Sequence, residues 1–300
     1  MSITVASHNG LFAELAAKAR AYGQLAKVRL NLTVVFSSVF GYLLAAGSAF
    51  EWGLMFLLGL GGFLVTASAN SINQLLEFEY DRLMKRTKIR PLCTNELSKA
   101  EAILFAGITG IAGLSIIAFY FNSLAACAAA ISLFSYAFVY TPLKRFSPAA
   151  VFVGAIPGAL PPVIGWLAFT NQMGFEAYVL FAIQFLWQFP HFWAIGWIGY
   201  DDYKKAGFKL LPTSYDGRNR STATQIIIYI IALIPASIVP FYLGMVGYWA
   251  LAAALLLGVF FLYKGAILFK NCDRQSAFNL MIASIIYLPL LQIIMLIDKL

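Results

Sequence analysis

Gly53-Leu-Met-Phe-Leu-Leu-Gly-Leu-Gly-Gly-Phe-Leu-Val-Thr-Ala-Ser-Ala-Asn70 carries no charged residue, whereas Ser71-Ile-Asn73-Gln-Leu-Leu-Glu77-Phe-Glu79-Tyr-Asp81-Arg82-Leu-Met-Lys85-Arg86-Thr-Lys88-Ile-Arg90-Pro91, directly after it, carries eight. An apolar run of about 20 residues crosses the ~30 Å hydrocarbon core of a bilayer as a helix. Working outward, the same kind of run recurs at Leu32–Phe50 on one side. On the other side it recurs at Ala102–Phe121, Leu124–Tyr140, Ala149–Phe169, Ala177–Gly199, Gln225–Leu243, Tyr248–Leu268 and Ala277–Ile297. Charged residues make up 11% of the chain and mean hydropathy is +0.79, against about 25% charged in a soluble domain. The expected fold is therefore an all-α membrane protein of nine transmembrane helices.

The cations support the same count. Almost every Lys and Arg falls in the N-terminal segment or in the gaps after even-numbered spans, the gaps after odd-numbered spans hold none, and Lys299 stands alone at the other end. The positive-inside rule then places the N-terminus in the cytoplasm and the C-terminus outside. The net charge of +8 reads as topology and as attraction to anionic lipid head groups, not as a nucleic-acid surface. Residues 1–31, with Glu14, Lys18, Arg20, Lys27 and Arg29, read as a cytoplasmic lead-in to one domain over 32–300. The first apolar run begins too late for a signal peptide. Cys93, Cys127 and Cys272 have no metal-binding or redox spacing.

Two cytoplasmic gaps are long and chemically rich, roughly 71–101 and 200–224, on a scaffold otherwise joined by tight turns; function concentrates in such loops. In the first gap the helix is expected to run past the membrane toward Pro91. Asn73, Glu77 and Asp81 stand at i, i+4 and i+8, so they drift only about 80° around the axis over roughly 12 Å, while Glu79 points elsewhere. Stacked like charges destabilise a helix. Hard oxygen ligands at this spacing suit Mg²⁺, which bridges carboxylates to substrate phosphates. Arg82, Arg86, Lys88 and Arg90 follow as candidate phosphate contacts, joined by Lys144 and Arg145 in a later gap. Acids beside a diphosphate would repel it by about 4 kcal/mol per close pair at an effective dielectric near 20, so the two together imply a divalent ion.

The sixth span reads Gln184-Phe-Leu-Trp187-Gln188-Phe-Pro190-His191-Phe-Trp193. Polar groups inside a membrane helix are costly and face a cavity or a partner, and Pro190 is a kink point. Trp187, Gln188, His191 and Trp193 are candidate ligand contacts. The second rich gap opens on Tyr200-Asp201-Asp202-Tyr203-Lys204, again acids at a helix end, with Asp202 a further candidate metal ligand.

At these residues the chain resembles the UbiA-type intramembrane prenyltransferases, and within them the protohaem IX farnesyltransferases. The resemblance is carried by the Asn73/Glu77/Asp81 stripe running into Arg82-Leu-Met84-Lys-Arg86-Thr87-Lys88, by Tyr140-Thr141-Pro-Leu143-Lys144-Arg145, by Gly158-Ala-Leu-Pro161-Pro162-Val-Ile-Gly165-Trp166, and by Trp187-Gln188-Phe-Pro190-His191 with Asp202-Tyr203-Lys-Lys-Ala206-Gly207. Glu77 stands where such proteins usually have Asp, Ala150 where many have Asn, and the second gap lacks the DxxxD spacing of the quinone-making relatives. The resemblance implies a nine-helix bundle in a bacterial inner membrane with its site on the cytoplasmic face. It implies that farnesyl diphosphate alkylates a vinyl group of haem B with Mg²⁺ as the metal, and that haem A synthase and oxidase assembly proteins are partners. A 4-hydroxybenzoate polyprenyltransferase is the rival within the fold. A transporter is the rival outside it, but transporters place broken helices at mid-membrane, whereas this chain gathers its charge at one face.

Overall fold

The computed structural model describes residues 3–212 and 217–299, with side chains from residue 13 onward. The helices are α1 Ile3–Leu25, α2 Val28–Ala46, α3 Trp52–Leu76, α4 Phe78–Asp81, α5 Lys99–Tyr120, α6 Ser123–Phe134, α7 Thr141–Leu143, α8 Ala150–Thr170, α9 Phe175–Ile198, α10 Tyr200–Lys205, α11 Arg220–Tyr242, α12 Tyr248–Asn271 and α13 Arg274–Ile297. Among the described residues these elements make nine spans long and apolar enough to cross a membrane, the fourth of them, Ser123–Leu143, built from α6, α7 and the stretch between. The sixth-helix bundle position is α9, and a π-helical stretch, Ser135–Tyr140, joins α6 to α7 within the fourth span. Large apolar side chains such as Ile111, Phe119, Trp249 and Leu256 are exposed around the bundle, where lipid rather than water meets them.

Span edges differ from the hydropathy reading where polar residues are buried by protein. The first span begins at Val28 rather than Leu32, and the second runs to Leu76 rather than Asn70. Asn70, Ser71, Asn73 and Gln74 lower the local hydropathy, yet all four are buried. The helix does not continue to Pro91. It breaks at Glu77, resumes for one turn as α4, and gives way to turns until α5. Thr87 Oγ1 bonds back to Asp81 O at 2.8 Å and ends that turn, while α5 starts on a reciprocal capping box between Ser98 and Glu101. Lys264, about two turns inside the basic end of α12, and Lys299 at the opposite end are the exceptions to cation alternation.

The core of the site-bearing half is held by close helix contact. A Cβ on Gly41 would lie 2.0 Å from Pro162 O, and one on Gly165 would lie 1.8 Å from Ser38 O, so α2 and α8 touch backbone to backbone, as small residues allow. Inside α8, Pro161 and Pro162 leave the carbonyls of Pro157 and Gly158 without their usual i+4 donors. Ser132 Oγ bonds Pro157 O at 3.1 Å, and Gln184 Nε2 bonds Gly158 O at 2.9 Å. Side chains of α6 and α9 thus satisfy the groups the prolines free.

Candidate active site

The stripe forms where α3 ends. Asn73, Glu77 and Asp81 are 2%, 5% and 1% exposed, and their backbones are linked by Glu77 N–H to Asn73 O at 3.0 Å and Asp81 N–H to Glu77 O at 2.8 Å. The break at Glu77 therefore keeps helical pitch, and all three side chains share the inner face. Glu79 is on the outside, its side chain 69% exposed and 4.0 Å from Arg82.

Each stripe residue meets one cation. Lys144 Nζ forms an ion pair with Glu77, and Arg90 Nη1 bonds Asp81 Oδ2. Lys27 Nζ donates to Asn73 Oδ1 at 3.0 Å. Asn73 in turn donates to Thr141 Oγ1 at 3.1 Å, and Thr141 Oγ1 to Tyr136 O at 2.9 Å, so the π-helical stretch aims the end of the fourth span at the stripe. Lys144 Nζ also lies 4.5 Å from the Tyr140 ring centre. Glu77 Oε1 touches Lys144 without hydrogen-bond alignment, and Asp81 Oδ1 has no hydrogen-bond partner. Burial pushes the Asp81 carboxyl up, with Glu77 adding to the shift and Arg90 opposing it. Enclosure, reinforced by Arg90 and opposed by Glu77, pulls the Lys27 ammonium down to about 7. Two buried carboxylates with spare lone pairs beside an amide oxygen are a hard donor set that suits Mg²⁺.

The other cations are spread over the mouth. Arg82 is exposed over the Phe78 ring, Lys88 is exposed, and Arg145 lies over Tyr80 at 4.4 Å. Arg86 donates to Tyr203 OH at 2.9 Å. That bond joins the two rich loops, as does the packing of Met84 against Ala206 and Phe208, while the bond from Lys209 N–H to Lys144 O at 2.7 Å ties the second loop to the gap after the fourth span. Asp201 bonds Arg218 at 2.7 Å, which holds its carboxyl below the usual range. Among the described residues no three His, Cys, Asp or Glu side chains converge as a metal cluster, so Asp202 does not join Glu77 and Asp81. Lys204 is exposed on α10.

On α9 the candidates divide. Trp187 stacks on His191 with ring centres 4.8 Å apart. Trp187 Nε1 donates to Ser284 O at 2.7 Å, and His191 Nδ1 pairs with Ser284 Oγ at 2.8 Å. Ser284 Oγ donates to Met281 O, so His191 Nδ1 is the donor to Ser284 and Nε2 keeps its lone pair. Gln188, 2% exposed, donates to Ala155 O and Gln184 O. Trp193 is 5% exposed and packs edge-on to Tyr229. These two build the helix interface rather than an open surface.

Sequence reasoning missed Thr141 as a partner of Asn73 and Lys27 as a member of the cluster. Neither carries a local signal, because both arrive from other helices.

A family model described as the UbiA prenyltransferase family matches residues 34–288. A relative named protoheme IX farnesyltransferase, from Cytophaga hutchinsonii, is 48% identical over 285 residues, covering 95% of this chain and 99% of its own. Two solved structures share the fold. One, described in terms of digeranylgeranylglyceryl phosphate synthase in membranes, has a TM-score of 0.78 at 23% identity and covers 94% of this chain and 98% of its own. The other, a UbiA homologue from Archaeoglobus fulgidus bound to GPP and Mg2+, has a TM-score of 0.60 at 17% identity, covering 92% and 99%. From the nine-span bundle, the match along most of its length and this near-full-length relative, the chain belongs to the UbiA prenyltransferase family.

Proposed function

We propose that this chain transfers a farnesyl group from farnesyl diphosphate to a vinyl group of haem B, giving haem O and diphosphate, in a bacterial inner membrane with its site facing the cytoplasm. One observation carries the prenyl-transfer part. Two carboxylates and an amide, buried on one helix face, are ringed by cations at the end of the bundle where Lys and Arg collect. The acceptor rests on the 48% identical relative and its name, which favours haem over 4-hydroxybenzoate.

The fold's solved relative bound to GPP and Mg2+ supports a metal-dependent reading. Asn73, Glu77 and Asp81 would hold Mg²⁺, whose charge would offset the negative charge growing on the leaving diphosphate. The allylic C–O bond breaks with its electron pair going to diphosphate. The vinyl π electrons close on the farnesyl carbon, and water adds to the resulting cation and releases a proton. Arg86, Arg82, Lys88, Arg90, Lys144 and Arg145 draw phosphate oxygens to the mouth, Arg in fork geometry. Tyr203 orients Arg86. His191 and Trp187 offer the acceptor an imidazole lone pair and a ring face. Haem A synthase and oxidase assembly proteins would take up the product.

Purified protein incubated with Mg²⁺, farnesyl diphosphate and either haem B or 4-hydroxybenzoate tests this. The expected result is a more hydrophobic haem with release of diphosphate, stopped by chelator. A prenylated benzoate with unmodified haem would overturn the acceptor and leave the prenyltransferase standing.

A further inference from the structure

The end of the bundle away from the stripe holds a cavity of about 550 Å³ between the close of α2, the start of α3 and the end of α13. Leu43, Phe50, Trp52, Met55 and Leu296 give it apolar walls, and Lys299 is the one charged residue among those lining it. Met55 and Asn73, both on α3, are about 27 Å apart along the axis, so the cavity is remote from the carboxylates. Its size is that of a small-molecule site. Trp52 is 72% exposed and meets the Phe50 ring edge-on at 5.0 Å, and Tyr248 and Trp249 are exposed at the same end. Tryptophan and tyrosine gather at the head-group level of a bilayer, which sets Lys299 at the depth of lipid phosphates.

Asp298 and Lys299 turn in opposite directions. Asp298 Oδ2 accepts from Ala250 N–H at 2.7 Å and its carbonyl accepts from Gly247 N–H at 2.8 Å, so its charge is committed to the N-terminal end of α12. Lys299 Nζ donates to Leu44 O in the last turn of α2. Its side chain lies beside Gly47, where a Cβ would come within 2.7 Å of Nζ. Among the described residues Lys299 forms no ion pair, and burial lowers its ammonium below the usual lysine range. One carbonyl occupies one of the three donors of an ammonium. A half-enclosed cation without an opposite charge is unfavourable. Set over apolar walls at phosphate depth, it fits an anion that carries hydrocarbon.

We propose that this cavity binds an anionic phospholipid of the adjoining leaflet, its phosphate on Lys299 and the upper part of an acyl chain along Trp52, Met55 and Leu296. A soluble anion would match the ammonium but leave the walls in water. A zwitterionic lipid would cover the walls but bring its own cation to the phosphate. The bound lipid joins the ends of α2, α3 and α13, and its occupancy is independent of prenyl transfer.

The test is fluorescence quenching of the full-length protein in neutral detergent by phosphatidylglycerol or phosphatidylcholine brominated on the acyl chain near the head group. Subtracting the signal of Trp52→Phe isolates the Trp52 component. Brominated phosphatidylglycerol is expected to quench Trp52 at about five- to tenfold lower concentration than brominated phosphatidylcholine, the effect of one lysine at a membrane surface. Lys299→Gln keeps a donor for Leu44 O and loses the charge, so it should bring the two lipids level, while Lys299→Arg should keep the preference. A Lys299 that serves only to cap α2 would leave the preference unchanged in Lys299→Gln, and that result would overturn the site. Equal quenching by the two lipids in the wild type would overturn it as well. Loss of the preference on adding equimolar inorganic phosphate would mark a site for soluble anions and overturn the lipid as occupant.

Discussion

Replacing Glu77 by Gln changes one oxygen into an amide and leaves Lys144, 7% exposed, without its carboxylate. Removing one partner of a buried ion pair costs about 3–5 kcal/mol, because the remaining charge is uncompensated. The Tyr140 ring, 4.5 Å from Nζ, faces the ammonium before and after the change and so offsets none of that cost, and a loss of about 3–5 kcal/mol is expected in the metal-free protein. Glu79 is the control. Its side chain is 69% exposed and 4.0 Å from Arg82, and exposed pairs contribute about 0–1 kcal/mol. Glu77→Gln should therefore unfold at a clearly lower temperature in detergent and lose turnover, while Glu79→Gln should match wild type in both. Glu77→Asp keeps the charge on an arm one methylene shorter and should retain much of the activity. The double variant Glu77→Gln/Lys144→Met removes both charges, so its stability should recover while turnover stays lost. Two results would refute the reasoning. One is equal damage from Glu79→Gln and Glu77→Gln. The other is a double variant that regains turnover, since Glu77 would then serve only to neutralise Lys144.

His191→Ala should weaken haem binding more than farnesyl diphosphate binding in spectroscopic titrations, because its free Nε2 faces away from Ser284; equal weakening of both would make it a packing residue. Gly165→Ala should destabilise the bundle by about 1–3 kcal/mol through overpacking, since its Cβ would meet Ser38 O at 1.8 Å and backbone cannot step aside. Thermal unfolding of the purified variant checks this, and an unchanged midpoint would mean that α2 and α8 part easily. A C-terminal alkaline phosphatase fusion should be active and an N-terminal one inactive, as the cation alternation requires; the reverse pattern would invert the topology.

The nine spans were legible because an apolar run long enough to cross a bilayer has few other uses, and the cations at alternate ends check the count. The edges were less legible where protein rather than lipid surrounds a helix. Asn70 through Gln74 look like the start of a loop by hydropathy, yet Asn70 and Gln74 hold the lead-in and Asn73 holds Thr141. The inner placement of Asn73, Glu77 and Asp81, with Glu79 outside, was predictable from a 3.6-residue pitch because that pitch survives the break at Glu77. The sequence also reads as helix from Arg82 toward Pro91, because Pro91 is its first clear stop signal. What stops it is tertiary, Arg90 folding back onto Asp81 and Thr87 onto its carbonyl. Gln184 is explained by a carbonyl that the prolines of α8 free and Gln188 by the Ala155 carbonyl of the same helix, a pairing between helices that spacing along α9 does not encode. Lys27 reads in the sequence as one more cytoplasmic charge.

The π-helical stretch at Ser135–Tyr140 has a bearing on how this gene can change length. One added residue in a helical ladder turns everything after it by about 100°. Thr141 and Lys144 stand just beyond that stretch, and their bonds to Asn73 and Glu77 depend on the turn. A single-codon deletion anywhere between Ser135 and Tyr140 would restore an ordinary α-helical ladder and keep the span long enough for the bilayer. It would also remove the wide turn from which the hydroxyl and the ammonium reach the stripe. Such a shortened copy would keep its reading frame and still insert in the membrane, so the length of this stretch matters to aim rather than to stability.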